Sequence, residues 1–223
     1  HKLTHGICAT TGNADNDDGI INSSQHYTSK NVSVNSSGNV IVGSAIGVAV
    51  KAGGSSSSVG VAAATSVNDV TNSFNASVTG STVKVSGTDG VSVKAESKTV
   101  MVALAAGAAA TLNEGTVTVD VAGSGVANTI DNDTIAKVEN STITAPKLDV
   151  NANTNSTLVS TAGQLSATVS NVYGGAAGLT WAQNSFDNTT GAYVRGISLS
   201  GYNNGSTALA VNAYNNSDIC PLY

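Results

Sequence analysis

The chain has 223 residues, of which only 10% are charged and 4% aromatic, with 24 glycines and a formal net charge of −5. Nine basic residues spread thinly along the chain form no basic stripe, which argues against a nucleic-acid partner. The longest small-apolar run, Val100 to Leu112, is too short for a membrane span of about 20 residues, and reads as a buried strand.

Residues 1–30 contain turn chemistry (Gly6, Thr11-Gly12, Asp17-Asp18-Gly19) and little periodicity, and are expected to form an extended N-terminal segment with one or two short strands. The chain begins at His1 without an initiator Met, as expected of a secreted protein whose leader has been removed. From Asn31 a period-2 alternation begins, with Val32, Val34, Val40 and Val42 set among Ser, Asn and Gly. Gly53 to Ser58 is expected to be a surface loop, and Val59 to Val70 a strand. Thr88-Asp89-Gly90, Asn113-Glu114-Gly115 and Asp131-Asn132-Asp133 are expected turns. Thr99 to Leu112 and Thr116 to Val121 are expected strands; the Ala-rich run 103–112 admits a helix, but it lacks a cap and an amphipathic stripe.

Two blocks recur. Val34, Val93, Val150 and Val211 occupy equivalent places 59, 57 and 61 residues apart, and Ala76, Ala136 and Ala192 lie 60 and 56 apart. One shared period of about 58 residues signals a stacked or arrayed architecture. The fold expected is all-β, three repeats of about 58 residues, with a β-solenoid favoured over an antiparallel meander or sandwich. Each repeat is expected to supply four or five short or medium strands separated by Asn/Asp/Gly/Ser turns. A continuous β domain over residues 31–217 then carries a short tail at 218–223.

Chemistry-bearing constellations are sparse. His1, His5 and His26 all lie in the N-terminal segment, and no Ser or Cys sits in a nucleophile elbow. Asn13 to Gly19 places oxygens at alternate positions, but its glycine comes one residue late and no Glu closes the loop, so the EF-hand pattern fails. No cofactor or metal is expected, and the chain is read as not an enzyme; a polysaccharide-active β-helix would need more carboxylates on one face. Ten N-x-Ser/Thr acceptors, at Asn22, Asn31, Asn35, Asn75, Asn132, Asn140, Asn155, Asn188, Asn204 and Asn215, are candidate glycosylation sites. Cys8 precedes the repeats and Cys220 follows them. Placement at opposite ends suits a disulfide staple, within or between chains, and an oxidising exterior. Trp181, Tyr193, Tyr202, Tyr214 and Tyr223 gather toward the C-terminal third, where they are candidates to face a partner.

The VSVKAES block at Val91, with its Asn-x-x-x-Ala-x-Val partner, resembles the repeats of haemagglutinin-like and autotransporter adhesins of bacteria. The resemblance implies β-solenoid stalks. In its cysteine-bearing ends the chain is similar in character to subunits of the tubular sheaths of methanogenic archaea. The function expected is that of a structural subunit at the cell surface, with identical copies as partners. Low charge, high β-propensity and two prolines favour strand addition at sheet edges. An adhesin module is the alternative.

Overall fold

A computed structural model describes residues 2–9, 20–21, 26–29, 32–42, 47–52, 57–112, 117–170, 173–202 and 205–221, and side-chain surroundings within 57–111, 117–170, 173–202 and 205–220. Among the described residues fourteen strands build three sheets. The front sheet contains β1 (Lys2–Ala9), β6 (Ser57–Thr79), β9 (Val117–Glu139) and β12 (Tyr173–Arg195), with the short β2 (Ile20–Ile21) beside β6. The narrow sheet contains β3 (His26–Ser29), β7 (Thr82–Val85), β10 (Thr142–Thr144) and β13 (Ser198–Ser200). The back sheet contains β4 (Val32–Val42), β8 (Val91–Leu112), β11 (Lys147–Val169) and β14 (Ala208–Pro221), with β5 (Gly47–Ala52) also on β8.

The chain visits front, narrow and back in turn and then steps up, so each circuit lies on the one before. Every described pairing is parallel, which excludes the antiparallel meander. No α-helix occurs among the described residues, and the Ala-rich run 103–112 belongs to β8. At about 3.3 Å per residue the 23-residue strands are roughly 75 Å long, so each circuit is a flattened blade.

Both repeated blocks become straight ladders. Val34, Val93, Val150 and Val211 pair in sequence across the back sheet, and Ala9, Ala76, Ala136 and Ala192 across the front. The unequal spacing has a local cause: the corner from β7 to β8 spans residues 86–90, whereas β10 reaches β11 across only 145–146. Between the β6–β7–β8 and β9–β10–β11 circuits the offset is therefore 60 in the front and narrow sheets but 57 in the back sheet. The front-to-narrow corner stacks Gly80, Asn140 and Gly196, with φ of 60°, 48° and 62°. That left-handed conformation is open to glycine and tolerated by Asn, which explains the residue types at this corner.

Several expectations are corrected. The three circuits from β6 onward each hold two long strands and one short one, not four or five. Asp131-Asn132-Asp133 is not a turn; it lies inside β9. In a lone strand such residues favour turns, but in a parallel stack identical amides meet at one height and bond each other. Within the N-terminal segment the described strands β1, β2 and β3 join the stack by pairing with β6 and β7. The boundary at 218 falls within β14. The Thr88-Asp89-Gly90 turn is present, with Gly90 at φ 71°. Gly53 to Ser56, Asn113 to Gly115 and Asn13 to Gly19 lie outside the described residues.

The interior changes character along the blade. Beside the narrow sheet it is aliphatic, with Val78, Val83, Val93, Val138, Ile143 and Leu148 fully buried. A second layer holds Val70, Met101, Ile130 and Leu158. Toward the far end only Ala remains as a filler (Ala62, Ala109, Ala122), and the sheets close up. A Cβ on Gly107 would stand 2.2 Å from the Gly123 carbonyl oxygen. Two Asn ladders separate these layers.

Candidate functional site

The ladders are built first by register: Asn68, Asn128 and Asn184 share one row, and Asn72, Asn132 and Asn188 another. In the first, the Asn68 amide donates to Asn128 Oδ1 at 2.8 Å and Asn128 to Asn184 Oδ1 at 2.8 Å. Asn184 ends the row by donating to Ser160 Oγ at 2.9 Å. In the second, Asn72 donates to Asn132 Oδ1 at 2.6 Å, and Asn132 to Ser156 Oγ at 2.8 Å. Asn188 then turns to Ser217 Oγ at 2.8 Å. These bonds keep a polar seam inside an aliphatic blade with every ladder amide nitrogen committed, while Asn72 Oδ1, at the first-circuit end of its row, accepts no bond among the described residues.

Both ladders run out at the last circuit, β12–β13–β14, and so does the core. Phe186, Ala192, Val194, Ile197 and Leu199 pack on the core but are only partly buried. Leu209, Val211 and Ile219 share rows with the fully buried Leu148, Val150 and Leu158, yet are 52%, 40% and 44% exposed. Among the described residues β12 pairs only with β9, and β14 only with β11. Strand edges are ordinarily blunted by Lys, Pro or bulges. β12 carries Asp187 and Arg195 as its only charges in 23 residues and has no proline.

The first circuit is the complementary edge. Leu3 falls on the row of Val70, Ile130 and Phe186, and Tyr27 on that of Val83, Ile143 and Leu199. Val32, Val34 and Val42 fall on the rows that end at Leu209, Val211 and Ile219. The two edges are stepped. β1 begins opposite Asp69 and β14 ends opposite Ser160, so the matching halves are those beside the narrow sheet. A hollow of about 280 Å³ between Gln164–Ser166 and Ala176–Gly178 lies above the step.

Charged side chains of the front sheet group around Glu139 and Asp131, while Asp120 lies buried toward the far end. Glu139 accepts from Arg195 at 2.6 Å and pairs with Lys137 at 3.1 Å; the Lys137 hydrogen bond first, and then the charges, hold its carboxyl below the usual range. Asp131 sits directly beside Asp187 in register, and burial first, then Asp187, Asp133 and Asp69, raises its carboxyl above the usual range.

The predicted site residues are dispersed. Cys220 is a free, exposed thiol in β14, at the row of Val159 and Val102. Cys8 lies in β1 at the row of Asn75. The two strands sit at opposite ends of the stack, three strand spacings or about 14 Å apart in height. The Asn72–Thr99 contact sets residue 102 across from residue 69, six residues or about 20 Å along the strand from the Cys8 row. A disulfide spans Cα atoms less than about 7 Å apart. On this register Cys8 and Cys220 are not brought together within one chain.

Among the sequons, Asn140, Asn155 and Asn215 are exposed, Asn75 is half-buried, and Asn132 is fully buried with its amide committed to the ladder. Asn188 is likewise engaged. The Asn35 side chain and residues Asn22, Asn31 and Asn204 lie outside the described set, as does Tyr223. Trp181, Tyr193 and Tyr214 are exposed, and the Lys84 ammonium lies 5.8 Å from the Tyr202 ring centre. Among the described residues no group of three or more His, Cys, Asp or Glu is placed to hold a metal. No helix among them is long and apolar enough to cross a membrane.

Comparison with protein-family models, with curated proteins and with solved structures finds no match.

Proposed function

We propose that the chain is a β-solenoid of three repeats of about 58 residues, and a structural subunit that self-assembles into an extracellular polymer such as a sheath, filament or surface layer. One observation carries the reading: the last circuit leaves its core rows open, and the first circuit of an identical copy places apolar residues on those same rows. A copy translated along the stacking direction sets its Val32 over Leu209, Val34 over Val211, Leu3 over Phe186 and Tyr27 over Leu199. Each added copy supplies parallel backbone pairing along the half of the blade beside the narrow sheet and buries the half-exposed core end. The contact joins head to tail and does not close, so it propagates as a linear stack. Strand edges are what join consecutive copies, and Cys220, exposed on β14, is left for links between neighbouring stacks.

The test is sedimentation velocity of the purified 223-residue chain across a concentration series, beside a Val211→Lys variant. Val211 lies on the half-exposed core end, so a charge there obstructs stacking without entering the buried interior. Species far above 22 kDa that the substitution dissolves support the reading. A monomer at all concentrations returns the adhesin-module alternative. Electrophoresis after boiling in detergent, with and without a thiol reductant, separately reports whether cysteines link the copies.

A further inference from the structure

The far half of the blade, away from the narrow sheet, inverts the usual polarity. Its interior rows carry Ser58, Gly60, Ser66 and Asn68 on β6, and Thr118, Asp120 and Ser124 on β9. Asp120 is fully buried and accepts from the Thr111 backbone at 3.1 Å and from the Thr111 hydroxyl. The outward rows of the same strands, and of β12 beside them, are mostly apolar, with Ser57, Thr65 and Gln183 as uncharged exceptions. Val59, Val61, Val119, Val121, Leu179 and Trp181 are all exposed, Val61 and Leu179 at 67% and 73%. No outward position from Ser57 to Val67, nor any of their register partners in β9 and β12, carries a charge. Gly123, Gly125 and Gly175 stand among them, and the Trp181 indole lies over Gly125, where a Cβ would meet it at 2.2 Å. The face is therefore a flat apolar floor with shallow furrows.

We propose that this outer face of the front sheet, at the far end of the blade, docks against the same face of a second copy. Eleven residues at about 3.3 Å and three strands about 4.8 Å apart give a footprint of roughly 500 Å² per copy. That equals the largest apolar patch on a typical monomer, and such patches mark contact sites. It falls short of the roughly 800 Å² per partner of a stable interface. One pair of faces makes a weak dimer. Stacked copies, as read above, lay two or more faces side by side and bring the contact into the stable range, so growth in length promotes growth in width.

A lipid surface is the poorer occupant. The outer edge of β6 between Ser57 and Ser66 faces no strand among the described residues, because β1 begins only opposite Asp69. Hydrocarbon would leave such backbone groups unsatisfied. Flat, uncharged sheet faces pack well on one another at about 10 Å.

The experiment separates this contact from end-to-end stacking. Sedimentation equilibrium is run on full-length Val211→Lys, whose stacking is obstructed, and on the same chain carrying Val61→Lys and Val119→Lys. The docking face predicts a concentration-dependent monomer–dimer equilibrium for Val211→Lys, weakened at least tenfold by the two lysines, with an unchanged far-UV circular dichroism spectrum. Should the lysines disturb folding, Val61→Thr with Val119→Thr is measured instead, with at least threefold weakening expected. A Val211→Lys chain that stays monomeric up to millimolar concentration overturns the proposal, as does a dimer that both pairs leave unchanged. Uptake of the chain by phosphatidylcholine vesicles that the two lysines abolish also overturns it, in favour of a lipid occupant.

Discussion

Asn132→Ala is the sharpest probe of the ladder. Asn132 is fully buried; its Oδ1 accepts from Asn72 at 2.6 Å and from the Thr99 hydroxyl at 3.2 Å, and its amide donates to Ser156 at 2.8 Å. Alanine removes all three bonds at once. Asn72 keeps a contact to Thr99 at 3.2 Å, and Ser156 keeps one from Asn188 at 3.3 Å, so neither partner is wholly orphaned. Three net bonds at about 1 kcal/mol each give a loss of about 3 kcal/mol. For a chain of this length that is roughly 6–12 °C in Tm. The assay is urea denaturation followed by circular dichroism, with Asn155→Ala as the control. Asn155 is exposed, so the control is expected to stay within about 0.5 kcal/mol of the parent chain. Equal stabilities for Asn132→Ala and the control would refute the ladder as a source of stability.

Other consequences follow from the same packing. Gly60→Ala is expected to cost about 1–3 kcal/mol, because the new Cβ would stand 2.1 Å from Asp120 Oδ1 and 2.6 Å from Thr111 Oγ; Gly163→Ala, with nothing within 4 Å, is the neutral comparison in a thermal melt. Asp131 has a raised carboxyl, so its ionisation opposes folding above that value, and stability from this site is recovered as pH falls toward 3.8. Asp131→Asn should therefore raise Tm at pH 7 and lose that advantage near pH 3. Glu139 has the opposite sign: its lowered carboxyl favours the folded chain above 4.5 and ceases to do so as pH falls. Glu139→Gln should lower Tm at neutral pH and matter little in acid.

The period, the all-β class and the positions of the repeated Val and Ala rows were legible in the sequence, because parallel stacking turns a recurring residue into a ladder. Strand length was not. Asn and Asp clusters read as turns when each strand is considered alone, and only the neighbour at the same height makes Asn72, Asn132 and Asn188 interior residues. Their spacing of 60 and 56 matched the Ala rows, and that shared spacing was the available signal. One or two short strands were expected in residues 1–30, but the place of β1 in the stack was hidden because its register with β6 is offset by 67 residues (Lys2 to Asp69), away from the common period. The outward valines of β6 and β9 alternate as any half-buried strand does. Which side faced solvent became clear only when Gly60, Asp120 and Ala62 were found between the sheets.

End-to-end growth through the open last circuit is tested most directly by fibre diffraction from concentrated, aligned protein. The account predicts a reflection near 4.8 Å along the particle axis, since strands would lie across the direction of growth. It also predicts that Val211→Lys abolishes both the particles and the reflection. Particles whose 4.8 Å spacing lies across their axis, or a Val211→Lys chain that assembles as readily as its parent, would contradict it.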